Sequence, residues 1–281
     1  MTDDLKSNAR KFEMSIDIDA SQEDVWKAFT DANELVRWFP LQASVEPGVG
    51  GSVRMGWGDA WAGVMRIDAW NPPKLLRLID ESARPFDADG GTVGGAAPAR
   101  VAVEVTLETV DGKTRLRLVH SGFGTGAAWD DEVEGISTGW QFELRNLRHY
   151  LTRHRGRARY AAFAHGSAPL TVPDMWARIV NDSRIAVSAP KLEAGQPYTA
   201  TLSTGDRFSG RIQLYIPHRE FAGTAAELGD GIFRVCTYPA GGRAGTTLWV
   251  ETWEERAAEM NALGDRLRGM LDDVCAAERS A

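Results

Sequence analysis

A long amphipathic helix, about residues 131–153, follows a series of predicted strands in the first half of this chain. Its apolar residues recur every three or four positions, the spacing of one helix face: Ile136, Trp140, Leu144, Leu147 and Leu151. The strands before it are joined by turn residues, which predicts an antiparallel sheet. Since a sheet does not leave an apolar face in water, we expect the helix to lie across it.

One strand and two short helices are predicted before the rest of the sheet. Apolar and polar residues alternate from Phe12 to Ala20, as in a half-buried strand. Ser21 and Asp24 then have the spacing of a helix N-cap, and Pro40 ends a second short helix. This order predicts an α+β fold of the helix-grip type, in which a curved antiparallel sheet wraps around a long C-terminal helix.

Short segments of the first half recur in the same order in the second half. Three pairs resemble each other: 58–67 with 205–214, 114–120 with 246–252, and 147–151 with 267–271. An internal repeat of this kind predicts two tandem copies of one fold, the second divergent. We place the first domain at 8–158, a linker at 159–167 and the second domain at 168–281.

Charge and composition limit the expected partners. The net charge of −7 repels phosphates, so we expect no nucleic-acid partner. The N-terminus has no apolar signal segment, and no run is long enough to span a bilayer, so we expect a cytoplasmic protein without a membrane partner. The cysteines, Cys236 and Cys275, have no ligand-like spacing, and we expect neither a metal nor a cofactor.

Several motifs of common enzyme sites are missing from the sequence. We find no phosphate loop, Rossmann fingerprint or His-Glu-x-x-His, and we assign no catalytic residue. His120 is the most interesting polar residue, because it continues the strand face of Leu116 and Leu118. Such a histidine can donate a hydrogen bond to a ligand or act as an acid or base. It can equally be a structural residue at the end of a strand.

The first half resembles one known family through five motifs, which occur in the order ASQEDVWKAFTDANELVRWF, GGSVRM, GVMRIDAWNPPKLL, TRLRLVHSGF and GISTGWQFELRNLRHYL. The order is similar to that of bacterial proteins resembling the C-terminal domain of the activator of the heat-shock-chaperone ATPase, in the START-like (SRPBCC) superfamily. The resemblance implies a deep cavity between the sheet and the last helix. Relatives of this fold bind lipids, polyketides, hormones or client proteins, and some are cyclases.

Large rings are frequent around the expected cavity, which suits a flat or apolar molecule. We predict non-enzymatic or regulatory binding of a small hydrophobic or aromatic ligand. The residues expected to line the site are Trp38, Trp57, Trp61, Met65, His120, Phe123, Trp140, Leu144 and Leu147. Two alternatives stay open: a protein-interaction module of co-chaperone type, with a protein partner, and a cyclase- or hydratase-like enzyme that uses His120.

Overall fold

The computed structural model describes residues 10–58, 62–87, 91–181 and 183–276. They form two units, each with a seven-stranded antiparallel sheet and a long helix after its last strand. The predicted α+β fold is therefore confirmed. No described helix is both long and apolar enough to cross a membrane.

The first unit contains strands β1 to β7 and helices α1 to α3. Its strands are β1 (Lys11–Ile18), β2 (Gln42–Glu46), β3 (Ser52–Gly56), β4 (Ala62–Asn71), β5 (Leu75–Ala83), β6 (Ala99–Val110) and β7 (Lys113–Ser121). Its helices are α1 (Gln22–Thr30), α2 (Ala32–Leu35) and α3 (Ala127–His149), and α3 continues into one π-helical turn, Tyr150–His154. The long helix thus begins about one turn earlier than its predicted start.

Local hydrogen bonds explain where the first unit changes direction. The Ser21 hydroxyl accepts a hydrogen bond from the backbone N–H of Asp24, which caps α1 as its spacing predicts. Asp31 caps α2 in the same way. Asp111 and Gly112 both have positive φ, at 51° and 77°, and close the hairpin between β6 and β7.

The second unit contains strands β8 to β14 and helices α4 and α5. Its strands are β8 (Tyr160–Ala168), β9 (Ile185–Ser188), β10 (Pro197–Leu202), β11 (Arg207–Ile216), β12 (Glu220–Ala225), β13 (Gly231–Ala240) and β14 (Arg243–Thr252). Its helices are α4 (Val172–Ile179) and α5 (Ala257–Ala276), and a 3₁₀ turn covers Ala226–Leu228.

The two sheets have the same strand order. It is β1-β7-β6-β5-β4-β3-β2 in the first unit and β8-β14-β13-β12-β11-β10-β9 in the second, so the first strand of each unit lies beside the last. Within the described residues, the three matched pairs of segments lie on or beside equivalent elements: β4 and β11, β7 and β14, and the C-terminal end of α3 and α5. In each unit the final helix packs on the sheet and closes a core.

The segment predicted as a linker, 159–167, differs in the structure, because all but its first residue belongs to β8. This strand pairs antiparallel with β14 along its length, so the second unit begins here and not at residue 168. Its sequence, YAAFAHGSA, does not alternate clearly between apolar and polar residues, because small residues occupy both faces of the strand. A Cβ on Gly166 would lie 2.8 Å from the Cys275 sulfur, so close packing of α5 requires these small residues.

Helix α3 lies between the two sheets. One side covers the first sheet, and the other contacts β11 and β13. Leu214, Ala222, Ile232 and Trp253 of the second unit consequently belong to the apolar cluster of the first unit. Strands β13 and β14 are buried on both faces for almost their whole length, which explains why their sequences do not alternate.

Candidate functional site

Several of the predicted site residues form the floor of the space between the first sheet and α3. Trp38, Leu144 and Leu147 are fully buried. The indole N–H of Trp38 donates to the Ala28 carbonyl at 2.9 Å, and the Asn146 side chain donates to the Trp38 carbonyl at 2.7 Å. Trp38 is therefore fixed to both α1 and α3 and supports the site from the core.

A chain of aromatic rings leads from this floor toward the surface. Phe39 stacks on Trp38 with ring centroids 5.0 Å apart, and it lies 5.2 Å from both Trp140 and Trp57. Phe39, Trp57 and Met65 are only half-buried. The apolar surface is thus continuous from the core to the β3 end of the sheet. Trp61, predicted to line the same site, lies outside the described residues.

The N-terminal half of α3 is less buried than its C-terminal half. Residues 131–139 are all half-buried, whereas fully buried residues recur from Trp140 onward. On the side of α3 that faces the second unit, one turn from both Gly135 and Glu143, a Cβ placed on Gly139 would meet no described atom within 4 Å. The helix is therefore tightly packed toward its C-terminal end and loosely packed toward its start.

His120 and Trp140 form a buried polar pair in this site. The Trp140 indole N–H donates to Nδ1 of His120 at 3.0 Å. Because an indole nitrogen can only donate, Nδ1 must be the acceptor and Nε2 carries the proton. Burial lowers the pKa of His120 to about 3, so the ring is neutral at physiological pH. Phe123 lies 4.7 Å from the imidazole and belongs to a separate small cluster with Val101 and Trp129.

A cluster of charged residues lies on the side of α3 that faces the second sheet. Arg234 donates to both carboxylate oxygens of Glu220, at 2.6 and 3.2 Å, and to Glu143 of α3 at 3.2 Å. Its guanidinium also lies 4.0 Å from the centre of the Phe142 ring. These contacts of Arg234 therefore link the two units through α3.

Arg159 and Glu251 extend this charged cluster. Arg159 donates to Glu251 at 3.1 Å, and both side chains are almost completely buried, at 2% and 0% exposure. Arg159 also donates to the carbonyls of Phe39 and Pro40, next to the ring-lined site. The indole N–H of Trp249 donates to the same carboxylate oxygen of Glu251 at 2.6 Å.

The charged cluster contains three carboxyl groups and two guanidinium groups. If all were ionised, one buried negative charge would lack a partner. Burial raises the pKa of Glu143 to about 8, despite the nearby Arg234. Glu143 therefore carries the proton that balances the cluster at neutral pH. The cluster was not evident from sequence, because Arg159 is the last of four arginines at alternate positions from Arg153, a pattern typical of an exposed segment, and Glu143 lies between apolar helix positions.

The fold defines an α+β protein of helix-grip architecture, and aromatic rings line the contact between its first sheet and α3. Residues 19–152 match the family model described as "Activator of Hsp90 ATPase homolog 1-like protein". This match, which spans just under half of the chain, confirms the resemblance to the activator of the heat-shock-chaperone ATPase that the motifs of the first unit indicated. No curated protein matches the chain.

Three solved structures illustrate the structural similarity. The Aha1 dimer from Colwellia psychrerythraea is 20% identical over 52% of this chain and 99% of that chain, with a TM-score of 0.41. DynU16, a putative protein in the dynemicin biosynthetic locus, is 18% identical over 95% and 96%, with a TM-score of 0.42. The di-domain ARO/CYC BexL from the BE-7585A biosynthetic pathway is 14% identical over 95% and 98%, with a TM-score of 0.43.

Proposed function

We propose that the first unit binds a small hydrophobic or aromatic molecule between its sheet and α3. The observation that carries this proposal is the neutral His120 among aromatic rings, with Nδ1 occupied by Trp140 and Nε2–H left as a donor. Among the described residues, Nε2 has no hydrogen-bond partner. A site with apolar walls and a fixed donor recognises a flat ligand that carries an oxygen.

The energetics favour a ligand whose surface is mostly apolar. Each Å² of apolar area removed from water contributes roughly 25 cal/mol, less the cost of ordering the ligand. Phe39, Trp57 and Met65 are half-buried and could gain burial when a ligand enters beside Trp140, whose ring lies 5.2 Å from that of Phe39. The hydrogen bond from His120 would add selectivity for ligand oxygens.

The two alternatives are less well supported by the described residues. A cyclase- or hydratase-like reaction through His120 needs an imidazole that gains and loses a proton near pH 7, and burial lowers its pKa to about 3. An interaction module needs a contiguous apolar surface. Among the described residues, the exposed large apolar side chains number only four: Val49, Val64, Phe86 and Leu192.

Native mass spectrometry of the gently purified full chain tests the proposal. We expect an additional mass that disappears on denaturation and identifies the occupant. A titration with 1-anilinonaphthalene-8-sulfonate then measures the site directly. Trp140→Phe should weaken this binding, whereas Trp176→Phe, a similarly buried tryptophan of the second unit, should not. Equal binding by both variants would contradict a site beside α3.

A further inference from the structure

Three metal-ligating residues from both units meet where α3 ends. His149 is the last residue of α3, His154 ends the π-helical turn, and Asp230 precedes β13. Nε2 of His149 lies 2.7 Å from the Asp230 carbonyl oxygen and 3.9 Å from its carboxylate Oδ2. Nε2 of His154 lies 3.0 Å from the same carbonyl. One ligand atom from each of the three side chains lies within 4.8 Å of the others.

The surrounding structure holds the imidazoles in place and leaves the carboxylate accessible. His154 stacks on Trp253 with centroids 4.3 Å apart and planes 8° from parallel. Both histidine side chains are buried, while the Asp230 side chain is 46% exposed. Asp230 has a φ of 63°, so a left-handed turn presents its carbonyl and carboxylate to the two rings. An ion could therefore reach the cluster from solvent through Asp230.

We propose that His149, His154 and Asp230 bind one divalent transition-metal ion of the class that prefers imidazole and carboxylate ligands, such as Zn²⁺, Co²⁺ or Ni²⁺. Bonds of about 2.1 Å in tetrahedral geometry place neighbouring ligand atoms ~3.4 Å apart. The side-chain ligand atoms lie within 4.8 Å of one another, and Nε2 of His149 is 3.9 Å from the Asp230 carboxylate, so small side-chain rotations bring them to that spacing. The ion would be held by the rings and by Asp230, with solvent completing its coordination.

The protonation states of the rings are compatible with this ligand set. Metal binding requires a neutral imidazole with its lone pair on Nε2 and its proton on Nδ1. Nδ1 of His154 has no hydrogen-bond partner within the described part of the chain, so no acceptor or donor fixes the tautomer of that ring. Without an ion, both rings can instead donate from Nε2 to the Asp230 carbonyl.

The position of the cluster gives the ion a structural role. Both histidines belong to the helix that carries Trp140, and Asp230 belongs to the second unit. A bound ion would fix the C-terminal end of α3 against the second sheet. The cluster was not evident from sequence, because His149 and His154 lie 81 and 76 residues from Asp230.

The test is a metal titration of chelator-treated full-length protein without a histidine tag. We expect Zn²⁺, followed by calorimetry, and Co²⁺, followed by its visible absorption, to saturate at one ion per chain. Zn²⁺ should also raise the thermal unfolding midpoint, because an ion that binds only the folded state stabilises it. Absence of a saturable site up to about 1 mM of either ion would overturn the proposal.

Matched variants separate metal binding from the hydrogen bonds of the apo protein. His154→Gln keeps an Nε2–H donor for the Asp230 carbonyl, and Asp230→Gly keeps that carbonyl in a turn that suits glycine. Each should weaken binding by about tenfold or more. His218→Asn, which removes an exposed histidine at another positive-φ position, should leave binding unchanged. Unchanged affinity in both His154→Gln and Asp230→Gly would overturn the assignment.

Discussion

The indole of Trp140 fixes the proton of His120 by donating to Nδ1 across the gap between α3 and β7. The pair therefore joins the helix to the sheet at the centre of the ring-lined site. Since Nδ1 is occupied, the chemistry that His120 offers a ligand is donation from Nε2. Because of this donor, we expect the site to prefer apolar ligands that carry an oxygen over apolar ligands that carry none.

We expect the protein to bind 2-naphthol more tightly than naphthalene by roughly fivefold, because one net hydrogen bond contributes about 1 kcal/mol. His120→Asn should abolish this preference. The Asn side-chain oxygen can still accept from Trp140, but the variant lacks the Nε2–H. Competition against 1-anilinonaphthalene-8-sulfonate measures both affinities. A preference that persists in His120→Asn would mean that the ligand oxygen lies elsewhere.

Glu143 should make the folded state less stable as pH rises. Burial raises its pKa from 4.5 to about 8, so between these values the folded protein holds a proton that the unfolded chain releases. The contribution of Glu143 to stability is thus complete below pH 4.5 and is lost as pH rises through about 8. Glu143→Gln mimics the protonated carboxyl, so its stability relative to wild type should increase with pH, by at most about 1.4 kcal/mol per unit.

Urea unfolding of wild type and Glu143→Gln at several pH values between about 5 and 8.5 measures this difference. Comparing the two proteins at each pH removes the contributions of other titrating groups. A difference in unfolding free energy that stays constant across the range would show that Glu143 is ionised in the folded protein.

Arg159→Met should destabilise the protein by about 3–5 kcal/mol, because it leaves Glu251 as a buried carboxylate without its cation. Adding Glu251→Gln should recover part of this loss, since the second change removes the unpaired charge. Arg155→Met is the matched control: Arg155 pairs with Asp24 at the surface and is 56% exposed. Its cost should be at most about 1 kcal/mol. Equal costs for Arg159→Met and Arg155→Met in urea unfolding would contradict the assigned ion pair.

The two units should unfold together. Ile232 of the second unit is fully buried within the apolar cluster of the first, so Ile232→Ala should cost about 2–5 kcal/mol and lower the stability of both units. Circular dichroism and tryptophan fluorescence should give one coincident urea transition in wild type and in Ile232→Ala. Two separated transitions would mean that the units are thermodynamically independent.

Features encoded by local patterns could be predicted from the sequence. The apolar stripe of α3, the Ser21 cap and the Asp111-Gly112 turn each follow from residues close together in the chain. The common topology also left short matching segments on equivalent strands. In these regions each element packs mainly within its own unit, so sequence periodicity reflects burial.

Features set by the contact between the units could not be predicted in this way. Arg159 and Glu143 are buried where the two units meet. The residues next to them in the sequence form no pattern that indicates this burial. His149 and His154 approach Asp230 only through the docking of the two units. Strand β8 was missed for a related reason, because close packing under α5 selects small residues on both of its faces.

The burial of β13 and β14 on both faces has a consequence for protein engineering. One face of β13 belongs to the apolar core of its own unit, while the other contacts α3 of the first. The second half is therefore not an interchangeable module. A chimera that joins the first half to a related second half must also transfer side chains that match α3, including those at the positions of Ile232, Arg234 and Trp253. Without them, the two halves of the chimera would fold around surfaces that are not complementary where they meet.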